Sequence, residues 1–286
     1  MTLPLASLGS LVFFVALAGS TEAQTGRTRG GPTPTPTPTP AALEVARMGF
    51  VEGGVEILHP GGPWTKAAED EPLLIGDRVR TLKGGTARLE FPWTAIAVGD
   101  LSEVSIPNAR LLTLQLVRGR LDIDPEQTLL RVVTDEALIS GSGRTLVRRE
   151  GTSTFVASYN GGADVEAKGA IVRLGINRGT LVTPGKAPGE ATALGPAPRV
   201  VSPGADPRYV KPGEPARLIW TGQETAYHLE VLSIDSDVPV VSLDIDSREY
   251  DLRLPWLGTF RWRVAGRFGP VESQASGEGL LCVVEK

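Results

Sequence analysis

The chain has 286 residues, enough for about two domains, and its 41% hydrophobic and 22% charged residues are ordinary for a globular protein. The net charge of -4 provides no basic excess for a phosphate backbone, which argues against nucleic acid as a partner. The 34 glycines and 23 prolines favour turns and short strands, because both residues interrupt helices.

The N-terminus carries an apolar run from Leu3 to Ala18, followed by small residues that offer cleavage frames after Ala18 and after Ala23. This layout is typical of a secretory signal peptide, although no Lys or Arg precedes the run. The run is also shorter than the roughly 20 residues that a spanning helix needs. We therefore expect residues 1–23 to be a cleaved signal peptide, with an uncleaved N-terminal anchor as the alternative. The mature chain is expected to be extracytoplasmic, either periplasmic or secreted, with membrane contact only through an uncleaved N-terminus.

Residues 24–42 form a linker in which Pro and Thr strictly alternate from Pro32 to Pro40. Proline fixes φ and lacks an amide donor, so the segment favours an extended polyproline II helix and cannot join a sheet. At about 3.1 Å per residue, it would act as a semi-rigid spacer of roughly 30 Å.

The pattern of residues 43–188 predicts an all-β domain of short strands. Ala87, Leu89 and Phe91 alternate with polar residues, as in a strand with one wet face. Strands that begin with glycine recur at irregular spacing, which indicates a β-roll or coiled sheet of similar hairpins rather than a fixed-period solenoid. These strands are Gly54–Ile57, Gly119–Ile123, Gly162–Val165 and Gly179–Val182.

Several segments of this domain resemble the signature of FecR domains in order and spacing. They are Gly54–Ile57, Trp64, Leu73–Thr81, Ala87–Phe91, Ser102–Ile106, Leu114–Gly119 and Gly179–Gly185. The resemblance implies the sensor part of transmembrane regulators that relay an outer-membrane signal to a sigma factor. That role needs a cytoplasmic segment before a spanning helix, and only a few residues precede the apolar run here. What the resemblance implies for this chain is therefore an extracytoplasmic interaction module.

The block from Gly76-Asp77 to Thr81 is the strongest part of that signature. Gly76 can supply a positive φ in a tight turn, and Asp77 can accept a hydrogen bond from a nearby backbone amide. We expect Asp77 to form the turn and not to act as a catalytic acid, because no second polar group accompanies it at a meaningful spacing.

A stretch rich in Pro, Gly and Ala at residues 189–207 predicts a second linker. Residues 208–286 then show short alternating strands at regular spacing, which predicts a smaller β-sandwich with Trp220 and Trp262 in its core. The segments that resemble a fibronectin type III or Ig-like domain are Leu218–Trp220, Tyr227–Val231 and Leu257–Val264, with Phe260 where such domains often carry tyrosine.

The single cysteine, Cys282, lies in a strand-like apolar run, so no disulfide can form within the chain. The pattern predicts a buried small apolar side chain, with an intermolecular disulfide as the alternative.

The sequence predicts no catalytic residue, no cofactor and no metal site. His59 and His228 are each isolated, and His228 is expected at the surface of a strand; no nucleophile elbow is present. Acids with a period of two share one face of a strand, which makes a calcium site conceivable, but they lack the turn and the closing glutamate of a calcium loop. A solvated strand face is favoured for Asp122, Asp124 and Glu126, for Asp235 and Asp237, and for Asp244 and Asp246.

These observations favour an exported, non-enzymatic binding or scaffold protein of the cell envelope, whose partner is an envelope protein or a glycan. A component of an envelope signalling pathway that regulates a sigma factor through a membrane partner is one alternative. Glycan or peptidoglycan binding is the other. Hydrolysis of glycans is disfavoured, because no paired acid and base is evident.

Overall fold

The computed structural model describes residues 44–92, 94–108, 113–124, 130–236 and 239–285. The predicted signal peptide, the Pro/Thr linker, Glu126, Asp237 and the side chain of Asp124 lie outside what it describes. Every element of regular secondary structure in the described residues is a β-strand, which confirms the all-β class. Within them, no helix has the length and apolar character needed to cross a bilayer.

The strands fall into two modules. The first module contains β1 (Glu44–Glu52), β2 (Val55–Leu58), β3 (Trp64–Lys66), β4 (Pro72–Leu74), β5 (Arg78–Thr81), β6 (Thr86–Phe91), β7 (Thr94–Val98), β8 (Glu103–Asn108), β9 (Thr113–Asp124), β10 (Leu130–Val133), β11 (Leu138–Gly141), β12 (Thr145–Glu150), β13 (Ser153–Ser158), β14 (Ala163–Ala167), β15 (Ala170–Leu174), β16 (Arg178–Val182) and β17 (Thr192–Ala193). The second module contains β18 (Arg199–Ser202), β19 (Arg208–Val210), β20 (Pro215–Thr221), β21 (Ala226–Ser233), β22 (Pro239–Ile245), β23 (Glu249–Arg253), β24 (Gly258–Phe268), β25 (Val271–Ala275) and β26 (Gly279–Val283).

The first module is built from two sheets that share β9. The central sheet has the order β4-β1-β6-β7-β9-β12-β13-β16-β17. The outer sheet has the order β3-β2-β5-β8-β9-β10-β11-β14-β15, and only its β9–β10 pair is parallel. Short strands alternate between the two sheets along the chain, and their inward side chains, such as Leu89 and Leu121 from one and Val104 and Leu116 from the other, form one core.

β9 passes from the outer sheet to the central sheet at Gly119. Arg118 pairs with Glu103 in the outer sheet, whereas Gly119 pairs with Arg149 in the central sheet. Gly119 has a φ of 87°, and a Cβ built there would overlap Ser102. Both the backbone conformation and the close approach of Ser102 therefore require glycine at this crossing.

We expect Gly119→Ala to lower the free energy of unfolding by more than about 1 kcal/mol, because a positive φ strains alanine and the methyl group has no room. Gly151→Ala is the matched control: Gly151 also has a positive φ of 59°, but a Cβ added there would meet nothing within 4 Å. Urea unfolding of both variants measures the difference. Equal losses would show that contact with Ser102 contributes nothing beyond the backbone strain.

The turn before β5 has the geometry expected of the Gly76-Asp77 pair. Gly76 has a φ of 92°. Asp77 is fully buried, and its Oδ2 accepts a hydrogen bond from the Leu74 amide at 2.7 Å. Its Oδ1 lies 2.9 Å from His59 Nδ1, and this bond raises the pKa of His59. Asp77 thus holds a backbone turn, as the sequence predicts, and His59 is its side-chain partner.

In the second module, a small sheet packs on a larger one. The small sheet has the order β18-β20-β23, and the larger one, here called the facing sheet, has the order β19-β26-β24-β21-β22 with β25 beside β24. Trp220 and Trp262 are almost fully buried between them, which confirms that they belong to the core. Phe260 is also buried in this core.

Two details at the boundaries of this module differ from the sequence interpretation. The stretch 189–207, predicted as a linker, carries β17 and β18, and β18 pairs with β20 of the second module. Cys282 is only half-buried, with its Sγ 3.7 Å from Thr259 Oγ1, so the prediction of a buried side chain is wrong. Side chains alternate along β26, and those of Leu281 and Val283, not Cys282, enter the core.

The facing sheet lies against the outer surface of the central sheet. The Ser242 amide of β22 donates to Thr86 Oγ1 at 3.2 Å, and the ring centroids of Phe50 and Trp256 are 5.3 Å apart. A small apolar cluster that includes Phe155 packs against Val271 of the second module. The described residues from Glu44 onward form one compact unit of four stacked sheets.

Candidate functional site

The layer between the central and facing sheets is charged, unlike the two apolar cores on either side. On β9, Leu121 enters the core of the first module, whereas Arg120 and Asp122 face the second module. On β21, Tyr227 and Leu229 enter the other core, whereas His228 and Glu230 face the first module. The period-two alternation of each strand therefore delivers apolar residues to one side and charged residues to the other.

We call this cluster of charged residues the ionic layer. Its members are Arg120, Asp122, Arg144, Arg148, His228, Glu230, Asp244, Arg263, Arg267 and Glu272.

Arg120 connects the two modules through its guanidinium. One nitrogen donates to Asp122 on its own strand at 3.0 Å, and the same nitrogen donates to Glu230 at 2.7 Å. Another nitrogen donates to Glu272 of β25. The Arg120 side chain is only 3% exposed, so these charges meet with little water around them. An arginine suits this position because its planar fork bonds several carboxylate oxygens at once.

Among the acids of the ionic layer, Glu230 bonds to the largest number of arginines. It accepts hydrogen bonds from Arg120 at 2.7 Å, from Arg144 at 2.8 Å and from Arg263 at 2.6 Å. Burial by itself would raise the pKa of Glu230, but the guanidinium groups of Arg263, Arg144 and Arg120 outweigh burial and hold it well below the ordinary value. Glu230 is therefore ionised in the folded chain at neutral pH.

Glu272 and Asp244 complete the anionic side of the layer. Burial raises the pKa of Glu272, yet Arg120 and Arg148 outweigh this and lower it to about 2. For Asp244, burial is again outweighed, here by hydrogen bonds from His228 and from both terminal nitrogens of Arg148, which lie 2.7 and 2.9 Å from the carboxylate oxygens. The pKa of Asp244 is therefore lowered, and its bond to Arg148 is bidentate.

Ser242, His228 and Asp244 form a chain of hydrogen bonds that has the order of a serine hydrolase triad. Ser242 Oγ lies 3.1 Å from His228 Nε2, and His228 Nδ1 lies 2.7 Å from Asp244 Oδ1. Ser242 is fully buried, however, and it sits in the middle of strand β22 rather than on an exposed turn. A nucleophile needs open space for a substrate carbonyl, and the small cavity lined by His228 has a volume of about 10 Å³, room for about one water molecule.

A metal is also poorly suited to this layer. Ligand atoms of Asp122, His228 and Glu230 lie within 4.8 Å of one another, close enough in distance for a common ion. Arg120 already donates to both Asp122 and Glu230, and Arg144 and Arg263 donate to Glu230. A divalent cation would have to displace these guanidinium groups or lie against them, so the donor set does not fit a metal.

A cleft of about 470 Å³ opens to solvent beside the ionic layer, with walls from both modules. The first module contributes two turns, around Lys83 and around Leu101, together with Arg118 and the hairpin at Gly151; the second module contributes residues of β22 and β24. Asp100 lies in this cleft, where burial and the neighbouring Asp244 raise its pKa.

Neither a family model nor a curated protein matches this chain. Among solved structures, two crystal structures of a candidate anti-sigma factor from Parabacteroides distasonis, at 1.65 and 2.50 Å resolution, share 14% identity with it. The match covers 41% of this chain and 60% of those chains, with a TM-score of 0.35. A likeness at this TM-score carries no argument about fold or function.

The predictions of solvent exposure for the acids and for His228 are right at two described positions and wrong at three. Asp235 and Asp246 are exposed, as expected of a solvated face. Asp122 at 5% exposure and His228 at 1% are buried, and Asp244 is half-buried, so the expectation of a solvated surface is wrong for these three. The reason is that the opposite module covers the polar face of their strands.

The arginines of the ionic layer were not predicted from the sequence. The five arginines of the ionic layer lie on β9, β12, β24 and the turn before β12: Arg120, Arg144, Arg148, Arg263 and Arg267. A strand face that carries arginine rather than lysine indicates that the face is covered and forms buried ion pairs, because arginine is the preferred cation of such pairs.

Proposed function

We propose that this chain is an exported, non-enzymatic binding or scaffold protein of the cell envelope. In this proposal a FecR-type first module and a fibronectin type III-like or Ig-like second module act as one body. The observation that carries it is the ionic layer: its ion pairs join the two modules, and we infer that they fix the position of one module relative to the other. A fixed pair of modules presents one defined surface to a partner, as binding requires.

The chemistry of the ionic layer supports a structural role over catalysis. Its carboxylates are held ionised by arginines and its histidine lies between Asp244 and Ser242, so these groups are occupied in holding the modules together. A catalytic acid or base would need a pKa near the working pH and access to a substrate. The FecR assignment is supported by the Gly76-Asp77 turn, which has the geometry expected of that part of the signature.

Cross-linking in intact cells, followed by capture of the full chain and mass spectrometry, tests the binding role. The expected result is repeated recovery of one envelope protein or glycan, together with a processed N-terminus at Gly19 or Gln24. Capture of a membrane transducer would favour the signalling alternative. Failure to recover any envelope component with a chain that is exported and folded would overturn the proposal.

Treatment of the purified chain with a fluorophosphonate probe, which labels activated serines, tests the exclusion of catalysis. We expect no labelling of Ser242, because it is fully buried. Labelling that is lost in Ser242→Ala would show that the hydrogen-bonded chain to His228 and Asp244 is an active hydrolase site.

A further inference from the structure

The cleft beside the ionic layer has the dimensions of a ligand site. Its volume of about 470 Å³ lies within the range of small-molecule sites in proteins, roughly 300–1,000 Å³. It lies at a junction between two modules, a common position for such sites. Most of the residues that line it are charged, and both signs are present, so a ligand with polar groups suits it better than a wholly apolar one.

Two cations on the wall of the cleft are available to an anionic group. Arg118 has a side chain that is 57% exposed, and its ion pair with Glu103 is long, at 3.6 Å. Lys83 is exposed on the turn after β5, and within the described residues it makes no ion pair. The other cations of the wall, such as Arg149 and Arg267, are already bonded to protein carboxylates.

The acids of the cleft restrict the type of anion. Asp100, Asp246, Asp244 and Glu150 share the wall with the cations. They would repel a compact polyanion such as a polyphosphate. Asp246 is exposed and can accept hydrogen bonds from hydroxyl groups. Leu101, which is 55% exposed, adds an apolar patch that suits the C–H face of a sugar ring.

Together these groups match a ligand with one anionic group, several hydroxyl groups and an apolar ring face. We propose that this cleft binds an acidic saccharide, with Lys83 and Arg118 holding its carboxylate and Asp246 accepting its hydroxyl groups. This assignment rests on the proposed binding function and gives it a ligand class and a place. Neutral sugars lack a partner for the two cations. An acidic peptide would offer Asp246 backbone amides spaced along a chain, whereas a sugar offers adjacent hydroxyl groups on one ring.

Isothermal titration calorimetry of the full chain tests the assignment with four probes. These are a trisaccharide of two galactose units and one galacturonic acid, a disaccharide of N-acetylglucosamine and N-acetylmuramic acid, a neutral galactose trimer and a capped tripeptide whose only charged group is one glutamate. We expect binding of at least one carboxylated sugar that weakens as salt is added, and no measurable binding of the neutral trimer or the peptide. The double variant Lys83→Glu/Arg118→Glu is expected to weaken that binding at least tenfold.

Lys186→Glu is the matched control, since Lys186 is exposed on a turn of the first module and does not line the cleft. It should leave the affinity unchanged. No binding of either carboxylated sugar at millimolar concentration, equal binding of the peptide, or equal affinities of the double variant and the control would each overturn the assignment. If the chain still captures an envelope component in cells in that case, only the cleft assignment fails and the binding function stands.

Discussion

Glu230→Gln is expected to lower the free energy of unfolding by about 3–5 kcal/mol, the usual cost of removing one partner from a buried ion pair. Glutamine keeps the volume of the side chain but removes the charge that three arginines share. Arg120, Arg144 and Arg263 donate to Glu230 at 2.6 to 2.8 Å, and all three are largely or fully buried. After the substitution, three positive charges would face one another with little water between them. Urea unfolding at neutral pH measures the loss.

Glu249→Gln provides the control for this prediction. Glu249 also pairs with an arginine, Arg217, at 2.6 Å, but both side chains are at least half exposed. Surface ion pairs contribute little, because water screens them and two long side chains must be ordered. The midpoint of urea unfolding should therefore stay close to that of the unchanged chain. If Glu230→Gln behaves like Glu249→Gln, the ionic layer does not hold the modules together.

The strands β9 and β21 show how much of the structure can be predicted from the sequence. Leu121 and Ile123, and likewise Leu229 and Val231, alternate with polar residues, so strands with one apolar face are predictable from pattern alone. The same alternation shows that Arg120 and Asp122 share a face, but it does not show what covers that face. Charged residues are usually exposed, and the expectation of a solvated surface follows from that average.

The ionic layer could not be predicted because its partners are far apart in sequence. Arg120 and Glu272 belong to different modules, and their contact depends on how the two modules pack against each other. The Gly76-Asp77 turn was predictable because the turn chemistry is local: Asp77 accepts from Leu74, three residues away. A turn held by neighbouring residues can thus be predicted from one sequence, whereas the pairing of charges between two modules cannot.

Acid should destabilise the chain in a specific window set by the ionic layer. Glu272 has an ordinary pKa of 4.5 and a pKa of about 2 in the folded chain, because Arg120 and Arg148 outweigh the effect of burial. A carboxylate whose pKa is lower in the folded state contributes its full stabilisation above its unfolded pKa. It loses that stabilisation as the pH falls towards the folded value. For Glu272 alone the loss between about pH 5 and pH 2 is on the order of 3 kcal/mol, and Glu230 and Asp244, whose pKa values are also lowered, add to it.

Urea unfolding at a series of pH values, repeated in about 1 M NaCl, separates this cause from general repulsion between surface charges. At low pH the whole chain becomes positive, and the resulting repulsion is screened strongly by salt, with a Debye length of about 3 Å. The buried ionic layer is screened much less, so the loss of stability between about pH 5 and pH 2 should persist in high salt. Glu272→Gln should be less stable at neutral pH but show a shallower pH dependence in that window. A pH dependence that disappears in high salt, or that is the same in Glu272→Gln, would assign the acid sensitivity to the surface rather than to the layer between the modules.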